Sequence, residues 1–249
     1  MIYHFPTLAS TNDEAAKPDY REGDIVVAES QTKGRGQRGH SWESAQGQNL
    51  TFSLVLEPLF LPPERQFLLS EVVALSVVDA LAAYGIVARI KWTNDIYVGD
   101  KKIAGILIEH KLQGPSLART VVGIGLNVNQ MEFSEELPNP VSMRQVRNFD
   151  FEREQVLERL HCCLMQRYEQ LRRGEEQTLQ EDYHERLYRL GALQWFALPS
   201  GRKFRGTILG VRDTGALCVE DEKRQRREYL FKEIEFMVGH KVELPDIEL

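Results

Sequence analysis

Arginines 35 and 38 lie among three glycines in the run GRGQRG, Gly34 to Gly39, with Lys33 before it and His40, Ser41 and Trp42 after it. Glycine lets backbone amides approach an anion closely, and each guanidinium offers a fixed fork for a carboxylate or phosphate. The run has the makings of an anion cradle; the competing reading is a solvated basic loop. It lacks the GK[ST] ending of a Walker loop and the glycine spacing of a dinucleotide fingerprint. Further along, KWTND at Lys91 to Asp95 is followed by DKKIAGIL at Asp100 to Leu107. Lysines brought together across a hairpin there would converge on one anion, with Asn94 hydrogen bonding and Asp95 balancing charge. Ordinary surface lysines on a hairpin are the alternative. In GIGLNVN, Gly123 to Asn129, Gly123 and Gly125 would admit a ligand against the backbone and Asn127 offers a donor and an acceptor. A strand with a bulge and a turn is the blander reading.

The elements that must hold these groups are legible from apolar spacing. DIVVAES from Asp24 and LTFSLVLEP up to Pro58 read as strands on either side of the glycine-rich segment. EVVALSVVDALAAYG keeps helical spacing through Val72, Leu75, Val78, Leu81 and Ala82 until Gly85. IVARIKW, IYVGDKKIAGILIEH and TVVGIGLNVN are strand-like, and Gly99-Asp100 would turn a hairpin that projects Lys101 and Lys102 near a strand start. Two amphipathic helices follow between Glu152 and Leu190, on Val156, Leu160, Leu164, Tyr168 and Leu171, then Leu179, Tyr183, Leu187 and Leu190. After Gly191 come short alternating strands, FALP, KFRGTILGV, ALCVED, REYLF and IEFMVG, as in a small barrel. The expected organisation is a main domain over residues 1–190 and a small one over 191–249. Near the start, Ser10-Thr11-Asn12 before DEAAK reads first as a helix N-cap.

The bulk composition narrows the function classes. With 249 residues, 42% hydrophobic and 27% charged, the chain can bury a full core. A net charge of −6 argues against broad nucleic-acid binding, which needs a basic surface. The N-terminus lacks the basic flank and apolar run of a signal peptide, and no later stretch reads as a membrane span, so a cytoplasmic protein is expected. Three cysteines without metal-ligand spacing suit a reducing compartment, and Cys162, Cys163 and Cys218 read as small core residues.

Taken together and in order, STN, GRGQRGHSW, KWTND, KKIAGIL and GIGLNVN resemble the biotin protein ligase family, whose pattern is STN, GRGRxGRxW, KWPND, a lysine before GIL, and GIGINVN. The resemblance covers residues 1 to about 190. It implies an α+β fold: a mixed sheet with flanking helices, like class II aminoacyl-tRNA synthetase catalytic domains, and a small SH3-like β-barrel at the C-terminus. It implies ATP-dependent, AMP-forming activation of biotin to biotinyl-5'-AMP, then transfer to a lysine of a biotin carboxyl carrier protein domain. ATP enters with Mg²⁺, for which no protein ligands are assigned. The hydroxyl and amide groups of Ser10, Thr11, Asn12 and Gln31 would hold the ureido ring. Gly34, Arg35, Gly36 and Gln37 would cover the chain and carboxylate beside Gly105. Arg38, His40, Trp42, Lys91, Asn94 and Asn127 would meet the nucleotide. Lys102, rather than Lys101, would neutralise charge between the biotin carboxylate and the α-phosphate; Arg35 and Asp95 complete the catalytic set, Asp95 orienting the acceptor amine.

Three positions depart from that pattern: Gln37 and His40 stand where the family has arginines, and Thr93 where it has proline. Fewer fixed cations imply a looser hold on the adenylate. A lipoate or octanoate ligase-transferase of the same fold is the nearest rival. A nonenzymatic nucleic-acid-binding or regulatory module is the rival from another class. No helix-turn-helix precedes STN, so DNA binding is not expected, and the family includes both monomers and homodimers.

Overall fold

The computed structural model describes residues 1–37, 41–114 and 116–237. Their contacts divide into two units, Met1–Tyr188 with Asp213–Gly215, and Arg189–Arg212 with Ala216 onward. The division falls two residues before the expected 190/191 boundary, and one short later segment groups with the first unit.

The first unit is built on a seven-stranded mixed sheet. Its strands are β1 (Ile2–Phe5), β2 (Ile25–Ala28), β3 (Leu50–Leu56), β4 (Arg89–Lys91), β5 (Asp95–Val98), β6 (Lys101–Gln113) and β7 (Ser116–Leu126), in the spatial order β1-β2-β3-β7-β6-β5-β4. Strand β1, which the apolar pattern did not flag, pairs parallel with β2; the other pairings are antiparallel. Gly99 at φ +57° turns the β5–β6 hairpin as the sequence implied.

Helices α1 (Thr11–Ala15), α2 (Phe67–Ala83), α3 (Met143–Arg147), α4 (Arg153–Arg172) and α5 (Glu176–Glu185) complete this unit. Helix α2 is buried on nearly every side, from Leu68 to Leu81. By length and composition alone, Pro63–Ala83 would pass for a membrane span, contrary to the expectation that no stretch would. Its burial between the sheet and α4 and α5 accounts for that composition. Helix α4 buries the anticipated stripe of Val156, Leu160, Leu164, Tyr168 and Leu171. Leu190 lies beyond the end of α5 and is exposed.

The cysteines are not core residues. Cys162 is exposed, while Cys163 and Cys218 are half-buried. Cys162 falls off the buried stripe of α4, and Cys218 alternates outward between buried Leu217 and Val219.

The second unit is a five-stranded antiparallel sheet of β8 (Leu193–Ala197), β9 (Lys203–Val211), β10 (Leu217–Asp221), β11 (Arg226–Tyr229) and β12 (Glu235–Phe236), ordered β11-β10-β9-β8-β12. Phe196, Phe204 and Phe236 pack together within it. KFRGTILGV and ALCVED coincide with β9 and β10, whereas β8 begins three residues before FALP and only Glu235–Phe236 of IEFMVG is strand.

Candidate active site

One face of the large sheet carries the chemistry, and strand register explains why. Ser53 on β3 faces Gly123 on β7, which faces Leu107 on β6; Gly125 lies between Thr51 and Gly105, and Gly105 faces Asp95 on β5. Directly paired residues point to the same face, so these groups share one surface.

Lys102 joins that surface only because of a bulge. Strict alternation would place Lys101, not Lys102, beside Gly105. The register between β5 and β6 shifts, with Asp95 opposite Gly105 but Tyr97 opposite Lys102, so β6 holds one extra residue and its alternation inverts. Lys102 is therefore turned to the site and Lys101 to solvent. Lys102 Nζ lies 2.6 Å from Asp95 Oδ1, and Lys91 Nζ lies 3.7 Å from Asp95 Oδ2. Two cations thus share one carboxylate, as the sequence suggested. Tyr97, on the same surface with Lys91 5.2 Å from its ring centre, is buried, which pushes its phenol up to about 12.

The glycines of β6 and β7 form a floor without side chains, and two residues lie on it. The indole of Trp42 covers Gly125 and Gly105: a β-carbon at Gly125 would stand 2.1 Å from Trp42 Cε2. Lys102 Nζ is 5.6 Å from the indole centre. The buried Nε1–H of Trp42 has no acceptor among the described residues. Asn12 covers Gly123, where a β-carbon would come 2.1 Å from its Oδ1.

Beside this floor, the early Ser-Thr-Asn segment is organised by a polar network. Thr11 N–H donates to Gln31 Oε1 at 2.6 Å. Ser53 Oγ donates to Asn12 Oδ1 at 2.6 Å and lies 2.8 Å from the Thr11 hydroxyl. Asn12 Nδ2 donates to Leu107 O at 3.3 Å and to Glu109 Oε2 at 2.7 Å. Ser10, Thr11 and Asn12 are all buried. Ser10 begins α1 in an extended conformation, but its side chain makes no capping bond, so the cap anticipated there is one of backbone geometry alone.

The described part of the glycine-rich run, Gly34 to Gln37, lies close by. Trp42 N–H donates to Gly34 O at 3.0 Å and Arg35 bridges to Ser41. A β-carbon at Gly34 would be 3.1 Å from Gln31 Nε2, which sets the loop against Gln31. Thr93 Oγ1 donates to Gln37 Oε1 at 3.3 Å. Arg38 and His40 lie outside the described residues.

The asparagines expected to meet the nucleotide are engaged with backbone. Asn94 Nδ2 donates to Ile106 O at 2.7 Å, and Asn127 Nδ2 to Val141 O at 3.1 Å. Asn127 thereby ties the end of β7 to the segment whose Val141 N–H and Asn139 carbonyl bond the backbone of Lys102. Ser53 and Glu109 escaped the sequence reading. Ser53 had a signal, being with Thr51 one of two polar residues inside a fully buried strand. Glu109 had none, since its place depends on the register of β6.

This surface puts the hydrogen-bonding cluster of Thr11, Asn12, Gln31 and Ser53 at one end, Gly105 and Gly125 under the Trp42 indole in the middle and clustered lysines at the other. Such a site suits an elongated ligand with a polar ring and an anionic end. Known proteins agree. Residues 5–127 match the biotin/lipoate A/B protein ligase family. The bifunctional ligase/repressor BirA of Bacillus spizizenii is 32% identical over 246 residues, covering 92% of this chain and 72% of its own length. The biotin–[acetyl-CoA-carboxylase] ligase of Mycobacterium tuberculosis is 30% identical, covering 80% of this chain and 74% of its own. The structure of a biotin protein ligase from Aquifex aeolicus, in complex with biotin and ATP, superposes with a TM-score of 0.81 at 28% identity, covering 96% of this chain and 99% of that one. The chain belongs to the biotin protein ligase family.

Proposed function

We propose that this protein activates biotin with ATP to biotinyl-5'-AMP, releasing pyrophosphate, and then transfers biotin to one lysine of a biotin carboxyl carrier protein domain. The observation that carries this reading is the single sheet face joining the Thr11–Ser53–Asn12 network to the Asp95–Lys102 pair across the Gly105–Gly125 floor. The ureido ring is assigned to Ser10, Thr11, Asn12 and Gln31, with Asn12 oriented by Ser53. The chain runs along the Trp42 indole, which itself lies on Gly105 and Gly125, under Gly34 to Gln37. The carboxylate end reaches Lys102, with Lys91 beside it for the phosphates.

Adenylation joins two anions, so its demand is for positioning and charge neutralisation rather than a covalent enzyme intermediate. A carboxylate oxygen of biotin attacks the α-phosphorus and the bond to pyrophosphate breaks. Lys102, held at Asp95, stabilises the charge gathered there. In the second step a neutral lysine amine attacks the acyl carbon, AMP leaves, and the role assigned to Asp95 is to orient that amine and receive its proton. Mg²⁺ arrives with ATP and offsets triphosphate charge. Among the described residues no three His, Cys, Asp or Glu side chains gather to hold a metal on their own. Asn94 and Asn127 serve by fixing the backbone around Lys102, and Arg38 and His40 remain assigned to the nucleotide from sequence. The enzyme is assigned to the cytoplasm.

The test is pyrophosphate release from Mg-ATP with biotin, octanoate or lipoate as the acid. Release with biotin alone is expected. Release with octanoate or lipoate and none with biotin would assign the site to the sister branch of the family, and no release with any acid would overturn the enzymatic reading.

A further inference from the structure

Arg35 stands in the glycine-rich loop where a substrate-binding cation was expected, yet its guanidinium faces protein carboxylates. Nη1 donates to Glu109 Oε1 at 3.0 Å and Nη2 to Glu109 Oε2 at 2.8 Å, a parallel two-bond pairing, and Nη2 also donates to Asp13 Oδ1 at 2.8 Å. Such end-on forks are the most directional ion pairs a protein makes. Asp13 lies in the first turn of α1 and Glu109 on β6, so one side chain ties the loop to both elements that border the ligand pocket. Glu109 also accepts from Asn12 at 2.7 Å. One carboxylate therefore fixes both the loop and the amide that the ureido ring is proposed to meet.

We infer that Glu109 is a positioning residue and that Arg35 is a tether rather than a ligand for the substrate's charge: together they seat Gly34 to Gln37 against α1 and β6 beside the Asn12 amide. This inference rests on the proposed biotin site. Two carboxylates on one guanidinium leave that cluster with a net negative charge, a poor receptor for a third carboxylate. The substrate's charge is then met by Lys102, while Arg35 holds the loop still.

Three variants and two readouts test this. Glu109→Gln keeps an acceptor for Asn12 but weakens the ion pair, and Arg35→Gln removes the tether. Each is expected to raise the KM for biotin about tenfold while kcat changes less than about twofold, the double variant being no worse than Arg35→Gln alone. The double variant, Arg35→Gln with Glu109→Gln, decides between tether and ligand. A tether is already lost once either partner is removed, so the second substitution is expected to add nothing. A cation that touched the substrate carboxylate would act independently of Glu109, so additive losses would overturn the inference.

The second readout needs no activity. Trypsin must draw Arg35 out of its pair to cut the Arg35–Gly36 bond, so cleavage of ligand-free Glu109→Gln is expected to be several-fold faster than that of the wild type. Equal rates would overturn the tether even if the wild type proved inactive with biotin. Conversely, a wild type that releases pyrophosphate with biotin but shows additive Arg35 and Glu109 effects would leave the proposed function standing and remove this inference.

Discussion

Replacing the floor glycines by alanine should damage the protein in an order set by what each new methyl meets. At Gly125 it would stand 2.1 Å from Trp42 Cε2 and 2.5 Å from Cζ2 and Nε1. Carbon atoms rest about 3.5 Å apart, so the indole must move by more than about 1 Å. Trp42 is only half-buried and can lift away. Gly125→Ala should therefore fold with little loss of stability, but lose the aromatic wall of the site, raising the biotin KM about 10- to 100-fold. At Gly123 the methyl would meet Asn12 Oδ1 at 2.1 Å and Cγ at 2.9 Å. Asn12 is buried and held by Ser53, Leu107 and Glu109, so it cannot yield cheaply. Breaking those bonds leaves buried polar groups unmatched at about 1–3 kcal/mol each, so Gly123→Ala should lose stability as well as activity. At Gly105 the nearest atoms are Trp42 Cζ3 at 3.1 Å and the mobile end of Lys102 at 3.3 Å, a squeeze of a few tenths of an ångström. Gly105→Ala should be the mildest. The assays are thermal unfolding, biotin titration of pyrophosphate release, and tryptophan emission, which should shift to the red in Gly125→Ala and not when Trp42 is also Phe. A Gly125→Ala protein with unchanged emission and KM, or a Gly105→Ala protein worse than both others, would refute the reasoning.

Three further outcomes are expected. Lys102→Ala should lower adenylate formation by about 10²- to 10³-fold, as for loss of a group that stabilises developing charge, while Lys101→Ala should be mild; equal single-turnover rates for the two would mean the β6 bulge does not operate. Ser53→Ala should leave Asn12 Oδ1 without its donor, lowering the Tm and raising the biotin KM while leaving kcat nearly unchanged; a fall in kcat alone would place Ser53 in the chemistry. Glu71, buried in α2 with the Asp213 charge nearby and only Arg65 opposing, is pushed up to about 8 from 4.5. A carboxyl raised on folding makes stability greatest below pH 4.5 and drains it as pH climbs to 8, by about 4 kcal/mol over that span. Urea unfolding of Glu71→Gln should lack that component of the pH slope; parallel slopes for variant and wild type would show that Glu71 ionises freely.

The sequence disclosed the site's ingredients better than its geometry. Glycines 105, 123 and 125 and Lys102 stood in recognisable runs because close packing and charge leave residue-type signatures. The bulge that turns Lys102 inward depends on how β5 and β6 pair, and no local pattern in KKIAGIL announces it. Ser53 was visible in principle as the one polar residue lining the buried run LTFSLVL beyond its threonine, whereas the partnership of Arg35 with Glu109 spans two elements far apart in the chain. Asn94 and Asn127 were legible as hydrogen-bonding residues, but only the fold reveals that backbone carbonyls claim their amides. Helices were read well where one stripe was apolar, as in α4. The cysteines misled because small residues carry no directional signal until a helix face or strand parity is known.

The central claim is that one sheet face binds biotin, activates it and hands it to a carrier lysine. The most direct measurement is the intact mass of a biotin carboxyl carrier protein domain after incubation with this protein, biotin and Mg-ATP, beside samples lacking ATP or carrying Lys102→Ala. The account predicts addition of a single biotinyl group at one lysine, dependent on ATP and strongly reduced in the variant. A carrier left unmodified by the wild type while pyrophosphate is released, or modified equally by Lys102→Ala, would contradict it.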